Sequence, residues 1–268
     1  MEKISQEVYS KINNDVYKSQ GDIWWKQDSV LHLLKTSINP WRVGYANRIL
    51  KKLNIDPEGK TALEVGSGGG ILTEEICKMG FNTTGIEPTD ESLETARNHA
   101  KLGGLAITYE KGTGEQLPYP DQSFDIVFCC DVLEHVRDLP KVISEISRVL
   151  KPDGVFIYDT LNRTFISNLV AIKIWQEWKM WAFMPPNLHV WKMFIKPEEI
   201  QRLLSKNSFE WKEHVGSEPN VSIPKMLGYL RKRTKGDWSF VDLGKNFWLV
   251  ESKDMNILYG GYAIKREL

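Results

Sequence analysis

Short apolar runs alternate with amphipathic stretches through the middle of the chain. TALEV at residues 61–65 predicts a buried strand, and the GSGGG that follows predicts a tight turn into the helix ILTEEICKMG. FNTTGIE, ITYEK, FDIVFCC and VFIYDT predict four more strands, with helices over ESLETARNHAKL and LPKVISEISRVL. Two closing antiparallel strands are expected after residue 206. This alternation predicts an α/β fold with a doubly wound, mostly parallel sheet of seven strands.

The composition narrows the class of protein. The chain has 268 residues and is 41% hydrophobic, which suits one large domain or one domain with a lid. Lys and Arg number 35, as do Asp and Glu, and the zero net charge argues against a nucleic acid as the main partner. Three cysteines without a CxxC pair indicate neither a disulfide framework nor a zinc site. Because the amino terminus lacks an apolar signal region and no run of about eighteen apolar residues occurs, we expect a cytoplasmic protein.

A glycine-rich turn carries the main chemical signal. The pattern E-x-G-x-G-x-G at residues 64–70 follows a strand and opens a helix, and glycines there let a ligand approach the backbone. A dinucleotide fingerprint would place its third glycine at Ile71, so the pattern favours S-adenosyl-L-methionine (SAM) over NAD. Glu87 ends the next strand, where a carboxylate can accept both ribose hydroxyls. The alternative is a turn with a structural role only. The candidate SAM-binding residues of this part are Glu64, Gly66, Ser67, Gly68 and Glu87.

Three more residues are candidates for contacts with SAM. Arg42 lies one turn from the start of a helix predicted at Asn39-Pro40, where its guanidinium could hold the carboxylate of the methionine half. The alternative is a solvated surface charge. Glu115 and Gln116 lie in the loop after the third strand, which faces the adenine in folds of this kind; the alternative is a solvated loop.

A polar cluster follows the fourth strand, in the sequence DVLEH at residues 131–135. If a helix begins here, Asp131, Glu134 and His135 lie at positions i, i+3 and i+4 and converge on one face near the transferable methyl group. Carboxylate oxygens suit Mg²⁺, and a histidine also admits Zn²⁺ or Mn²⁺. A polar helix start without a ligand is the alternative.

From Trp24 onward the chain resembles the ubiquinone-biosynthesis O-methyltransferase family, within the class I SAM methyltransferases of Rossmann-like fold. The resemblance covers roughly residues 20–206, in family order and at nearly family spacing. The matching pieces are Trp24-Trp25 with Leu31-His32, Ile38-Asn39-Pro40-Trp41-Arg42, Glu64 to Leu72, Val132 to Val136, Thr160-Leu161-Asn162-Arg163, and His189 with Phe194 to Glu199.

The resemblance implies roles for individual residues. It implies that Arg42, Gly66, Glu87 and Cys130 contact SAM. It also implies that Glu134, His135 and His189 are candidates for a metal site that serves an aromatic hydroxyl. Asp131 is a further candidate ligand for that cation, and the alternative is that His135 or His189 acts as general base, so Glu134, His135 and His189 are the candidate catalytic residues. Three positions depart from the family pattern: Glu87 replaces an aspartate, Asp131 a glutamate and Ser67 a cysteine.

We divide the chain into four parts on these patterns. Residues 1–60 form an N-terminal helical cap over the SAM site, and residues 61–163 form the SAM-binding core. Residues 164–196 form a helical lid insertion rich in tryptophan, methionine and aliphatic side chains, which either lies at a membrane interface or packs as a buried lid or dimer surface. Residues 197–268 complete the sheet and form an acceptor lobe. A basic run at residues 231–235 adds a modest indication of anionic lipid.

The expected function is methyl transfer from SAM to a hydroxyl of a phenolic quinone precursor or another hydrophobic small molecule. Two alternatives stay open: an N-, S- or C-methyltransferase of secondary metabolism, and a non-catalytic subunit that binds SAM. The expected partner is an aromatic, hydrophobic acceptor, with Mg²⁺ or another divalent cation as a second expected ligand. We expect a monomer or homodimer in the cytoplasm, with peripheral membrane contact as a further expectation.

Overall fold

Eight strands form one sheet in the computed structural model, which describes residues 3–17, 21–179 and 182–267. The strands are β1 (Thr61–Val65), β2 (Asn82–Glu87), β3 (Ile107–Lys111), β4 (Phe124–Cys130), β5 (Leu150–Leu161), β6 (Phe209–Pro219), β7 (Leu249–Ser252) and β8 (Leu258–Lys265). Their order across the sheet is β3-β2-β1-β4-β5-β8-β6-β7. The first five strands pair in parallel, and β8, β6 and β7 each run antiparallel to their neighbours.

The predicted α/β class and mostly parallel sheet are confirmed, but the sheet has eight strands where seven were expected. The difference lies in the C-terminal stretch FWLVESKDMNILYGGYAIK. Residues 253–257 interrupt this stretch, so it forms β7 and β8 instead of one strand. β6 lies between them and pairs with both.

Nine helices are assigned in the described residues. They are α1 (Gln6–Tyr9), α2 (Asn39–Lys52), α3 (Ile71–Lys78), α4 (Asp90–Leu102), α5 (Leu139–Val149), α6 (Phe165–Ser167), α7 (Pro197–Lys206), α8 (Ile223–Thr234) and α9 (Phe240–Asn246). π-helical segments span Leu34–Ile38 and Asn168–Glu177, and 3-10 turns span Asn14–Tyr17, Gly21–Trp24 and Trp191–Met193.

Helices cover both faces of the sheet because alternate strand residues point to opposite faces. Leu63 and Val127 pack with α5 and α7 on one face, whereas Ala62 and Ile126 pack with α2 and α3 on the other. This double covering accounts for the nearly continuous apolar runs of the central strands. Within the part of the chain described, no helix is long and apolar enough to cross a membrane.

The four-part division of the chain stays a prediction. α2 belongs to the expected cap, yet Tyr45 and Ile49 on this helix pack in the core cluster beneath the sheet. The expected lid is helical over Phe165–Ser167 and Asn168–Glu177. Residues 1–2, 18–20, 180–181 and 268, which also fall within the predicted parts, lie outside the described residues.

Candidate functional site

The site lies where the chain reverses its direction of winding, between the neighbouring strands β1 and β4. The chain after β1 turns toward β2 on one side, whereas β4 is followed by β5 on the other. Loops at the carboxyl ends of two such strands diverge and leave a crevice, which is where open α/β sheets bind ligands. The glycine turn leaves β1 at this crevice, and the DVLEH segment leaves β4 beside it.

The glycine turn requires glycine for two reasons. Gly66, Gly68 and Gly70 have φ angles of 76°, 50° and 85°, in the left-handed region that other residues rarely adopt. A Cβ atom on Gly66 would also lie 2.3 Å from Val132 Cγ2. The turn is tied to β2, since the amides of Gly66 and Ser67 both donate to the Ile86 carbonyl oxygen at 2.8 and 3.0 Å.

Glu87 reaches the glycine turn from the end of β2. Its Oε2 accepts a hydrogen bond from the Gly68 amide at 3.1 Å, and its Oε1 accepts one from the Thr89 amide at 3.1 Å. The Thr89 hydroxyl also donates to Oε1. Burial raises the pKa of Glu87, although these hydrogen bonds oppose the shift. The carboxylate therefore lies at the turn, and its predicted contact with a ribose stays a prediction.

Two neighbouring tryptophans cover the turn from the N-terminal segment. Trp24 donates its indole N–H to Ser92 Oγ at 2.9 Å, and Trp25 donates its own to the Gly69 carbonyl oxygen at 2.8 Å. Trp24 packs so tightly that a Cβ atom on Gly69 would lie 2.2 Å from its ring. The aromatic pair thus fixes the outer side of the glycine turn.

Arg42 is buried, so the alternative of a solvated surface charge is wrong. Its Nε and Nη2 donate to the two carboxylate oxygens of Asp159 at 2.6 and 2.9 Å, and Nη2 lies 2.8 Å from Asp131 Oδ2. Asp131 also donates its amide to Asp159 Oδ1 at 3.0 Å. A SAM carboxylate at Arg42 would have to share the guanidinium with these two acids. The role of Arg42 in binding SAM stays a prediction.

The segment after β4 differs from the helix start that was expected. Residues 133–135 form a turn, and Asp131 has a φ of 55°, so its carboxylate points to Arg42 instead of aligning with Glu134 and His135. Burial alone would raise the pKa of Asp131, but the positive charge of Arg42 holds it below its usual value. Asp131 is consequently not part of the cluster that could hold a cation.

Glu134, His135 and His189 come together as a possible cation site. Each offers one ligand atom, and the three atoms lie within 4.8 Å of one another. Glu134 Oε2 accepts a hydrogen bond from the Thr160 hydroxyl at 2.9 Å, whereas Glu134 Oε1 and His189 Nδ1 are buried without a hydrogen-bond partner. Buried polar atoms rarely stay unpaired, and a bound divalent cation would satisfy both. The residues therefore fit a cation.

The electrostatics of this cluster favour neutral side chains. Burial, followed by the nearby charge of Asp131, raises the pKa of Glu134 to about 8. Burial lowers the pKa of His135 to about 3 and that of His189 to about 4. At neutral pH both imidazoles therefore carry a free lone pair, the form that binds metal ions. Glu134 is largely protonated until a positive charge displaces its proton.

A cavity of about 1180 Å³ is lined by both the glycine turn and the two histidines, His135 and His189. It extends from the glycine turn and Glu87, past His135 and His189, into an apolar chamber. The chamber walls come from the N-terminal segment, the lid and the C-terminal lobe, and include Leu33, Leu34, Ile174, Trp175, Phe183, Leu230, Leu243 and Phe247. A single-ligand pocket usually measures about 300–1,000 Å³, so this cavity has room for two molecules.

Known proteins resemble the chain over most of its length. A ubiquinone biosynthesis O-methyltransferase from Actinobacillus pleuropneumoniae is 32% identical over 252 residues, which are 91% of this chain and 94% of that protein. The corresponding Rickettsia prowazekii protein is 30% identical over 88% of this chain and 87% of its own length. The chain belongs to the ubiquinone biosynthesis O-methyltransferase family.

Two further comparisons concern the domain type and the fold. Residues 63–158 match the family model of a methyltransferase domain. A SAM-dependent methyltransferase from Aquifex aeolicus, known from a crystal structure, superposes with a TM-score of 0.56 over 91% of this chain and 97% of that chain, at 16% identity. The latter likeness concerns the fold. The chain is thus a SAM-dependent O-methyltransferase, as expected from its motifs.

This O-methyltransferase gathers most of its predicted site residues around one cavity. Gln116 does not line it, and Glu134 stands behind the lining beside Thr160. The predicted residues that do line the cavity are Arg42, Glu64, Gly66, Ser67, Gly68, Glu87, Glu115, Cys130, Asp131, His135 and His189. Their individual roles stay predictions.

Sequence reasoning missed Asp159, Asn14 and Tyr17. Asp159 lies near the end of a predicted apolar strand that pairs with β4, so the rule that functional side chains lie at strand ends could have found it. Asn14 and Tyr17 line the cavity from a 3-10 turn with no motif of its own. No local pattern could have identified these two residues.

Proposed function

We propose that this O-methyltransferase methylates a phenolic hydroxyl of a hydrophobic, quinone-precursor-like acceptor. The observation that carries the proposal is the continuity of the cavity, which runs from the glycine turn to a chamber walled by leucine and aromatic side chains. A small polar acceptor would leave this apolar surface in contact with water. The names of the family relatives in Actinobacillus pleuropneumoniae and Rickettsia prowazekii are consistent with such an acceptor.

The residues of the chain would align the reaction. When bound, SAM would supply the methyl group to the acceptor oxygen and leave as the neutral thioether, and the hydroxyl proton would pass to solvent water. Glu87 and the glycine turn would hold the adenosine half, while the apolar chamber would hold the acceptor. Fixing both partners contributes to the rate because alignment is part of the barrier.

The acceptor hydroxyl must lose its proton, and a bound cation is better suited to promote this loss than a histidine base. An unperturbed phenol has a pKa of about 10. His135 and His189, with pKa values of about 3 and 4, are poor bases for such a group but suitable neutral ligands. A divalent cation held by Glu134, His135 and His189 would lower the pKa of the hydroxyl and orient it.

We also infer contact with an anionic lipid surface. Phe165 and Trp178 of the lid are 81% and 55% exposed, and Ile223 and Leu227 of α8 are exposed as well. Trp178, Ile223 and Leu227 also line the cavity, so its entrance is bordered by exposed apolar side chains. α8 ends in Arg231, Lys232 and Arg233, which would attract anionic headgroups.

An acceptor series tests the proposed function. With radiolabelled SAM, we expect catechols that carry a long alkyl or prenyl chain to be methylated more efficiently than unsubstituted catechol, and we expect EDTA to abolish transfer and Mg²⁺ to restore it. Amines and thiols of matched shape serve as controls. Equal turnover of short and long catechols would refute the role of the chamber, and full activity in EDTA would refute the cation.

A lipid-binding measurement tests the surface separately. The protein should sediment with vesicles that contain phosphatidylglycerol but remain in the supernatant with pure phosphatidylcholine. Replacing Phe165 and Trp178 by serine should abolish the binding without changing SAM affinity. Equal sedimentation of the variant and the unmodified protein would refute this surface.

A further inference from the structure

The N-terminal segment is anchored on both sides of the Glu134, His135 and His189 cluster. On one side the Ile4 amide donates to the Arg137 carbonyl oxygen at 3.0 Å, and Lys3 Nζ lies 3.2 Å from Asp138 Oδ2. On the other side the Asn13 amide donates to the Asn187 carbonyl oxygen at 2.8 Å. The segment thus bridges the turn that carries His135 and the loop that carries His189.

Asn14 makes two contacts with one residue of that cluster. Its Nδ2 lies 3.5 Å from the His135 carbonyl oxygen, and its Oδ1 lies 3.1 Å from His135 Nδ1. A carbonyl oxygen only accepts hydrogen bonds, so the amide nitrogen of Asn14 must face it. The amide oxygen then faces the imidazole. Since an amide oxygen only accepts, His135 Nδ1 must carry a hydrogen and donate it to Asn14.

The orientation of the His135 ring is restricted further by aromatic contacts. Tyr17 lies edge-on to His135, with ring centroids 6.2 Å apart, and stacks on Trp24 at 5.4 Å. The His189 ring lies on another side at 5.1 Å. With Nδ1 engaged by Asn14, Nε2 is the nitrogen of His135 that can offer a lone pair to a ligand.

We propose that Asn14 is a positioning residue that fixes His135 as the Nδ1–H tautomer and presents the Nε2 lone pair to the cation site. The proposal rests on the proposed function, because the value of this lone pair lies in binding the cation. It makes the N-terminal segment a part of the site, although 121 residues separate Asn14 from His135. Hydrogen-bonding partners of metal-binding histidines commonly set both tautomer and ligand strength.

Three variants separate positioning from folding. Asn14→Leu removes both hydrogen bonds, whereas Asn14→Asp retains an oxygen that accepts from Nδ1. Asn13→Ala is the matched control, because Asn13 is exposed and contacts Asn187 only through its backbone amide in the described hydrogen bonds. SAM affinity should stay within about two-fold in all three, which shows that the donor site is folded.

Imidazole ¹⁵N NMR on the full chain, without any metal, reads the tautomer directly. The chain has five histidines, so comparison with His135→Gln assigns the signals. We expect Nδ1–H in the unmodified protein, in Asn13→Ala and in Asn14→Asp, and a mixture of tautomers in Asn14→Leu. A hydrogen on Nε2 in the unmodified protein would overturn the proposal, as would an unchanged spectrum in Asn14→Leu.

Titration with Mn²⁺ alone provides the second readout. Loss of such a partner weakens metal binding about 10–100-fold, so we expect that loss in Asn14→Leu and substantial recovery in Asn14→Asp. Equal Mn²⁺ affinity in Asn14→Leu and the unmodified protein would overturn the proposal. If no protein of the set binds Mn²⁺ but the tautomer changes as expected, the proposed cation fails and the positioning of His135 by Asn14 stands.

Discussion

Asp159→Ala tests whether the buried ion pair with Arg42 stabilises the site. The side chains of Arg42 and Asp159 are 6% and 2% exposed, and the substitution removes both hydrogen bonds between them. Breaking a buried pair by deleting one partner costs about 3–5 kcal/mol, because the remaining charge stays buried. Asp131 still contacts Arg42 at 2.8 Å, so we expect a loss near 3 kcal/mol.

Urea unfolding measures this loss. With a slope of about 2–3 kcal/mol/M, the midpoint should fall by roughly 1 M or slightly more at an unchanged slope. Glu251→Ala is the matched control, because Glu251 accepts from Arg48 Nε at 3.0 Å in a pair whose side chains are 35% and 41% exposed. An exposed pair contributes about 0–1 kcal/mol, so the control should lose less than 1 kcal/mol.

Comparison of the two variants shows whether burial determines how much the ion pair contributes to stability. If Asp159→Ala costs no more than Glu251→Ala, burial does not determine the contribution of the pair and the reasoning is refuted. A SAM titration adds a functional readout. If Arg42 binds the SAM carboxylate as predicted, saturating SAM should raise the free energy of unfolding more in Asp159→Ala than in the unmodified protein. The reason is that the guanidinium of the variant has lost the carboxylate of Asp159.

Two further predictions follow from the buried titratable groups. Glu134→Gln should reduce methyl transfer by about 100-fold or more while calorimetry shows SAM affinity within two-fold, because the cation site that Glu134 would complete with His135 and His189 serves the acceptor hydroxyl; a variant with unchanged turnover would contradict this role. His214 Nε2 shares a hydrogen bond with the Tyr158 hydroxyl at 2.9 Å, and burial lowers the pKa of His214 to about 4. The unfolded chain, in which the pKa of His214 is about 6.5, therefore binds more protons between pH 6.5 and 4. Stability should fall by about 2–3 kcal/mol as the pH drops through this window, and less steeply in His214→Gln; equal slopes of unfolding free energy against pH would contradict the assignment.

The closeness of the glycine turn and Glu87 could be predicted because its signals are local. The glycine turn and Glu87 belong to two consecutive strands, and the dihedral angles that the turn requires restrict its sequence. Cys130, which the family resemblance assigned to SAM, lies at the end of β4. Residues that lie at the carboxyl ends of strands, such as Glu87, are found by recognising where each strand ends.

The rest of the site depends on long-range contacts that leave no local pattern. Arg42 pairs with Asp159 across 117 residues, and this pair, together with the left-handed conformation of Asp131, redirects a carboxylate that helical spacing assigned to the cation cluster. Asn14 belongs to a polar break in the N-terminal segment that resembles any surface turn. Only the assembled fold places it against His135.

Donor binding and acceptor choice should therefore respond to different substitutions. The glycine turn and Glu87 sit on adjacent parallel strands, so a change in their geometry would disturb the sheet. The acceptor chamber is built differently, because Leu33, Phe183 and Leu243 from three separate parts of the chain pack in one cluster. These walls can change volume while the strand ends stay in place. A change in acceptor would therefore arise from substitutions in this cluster and leave the donor half intact.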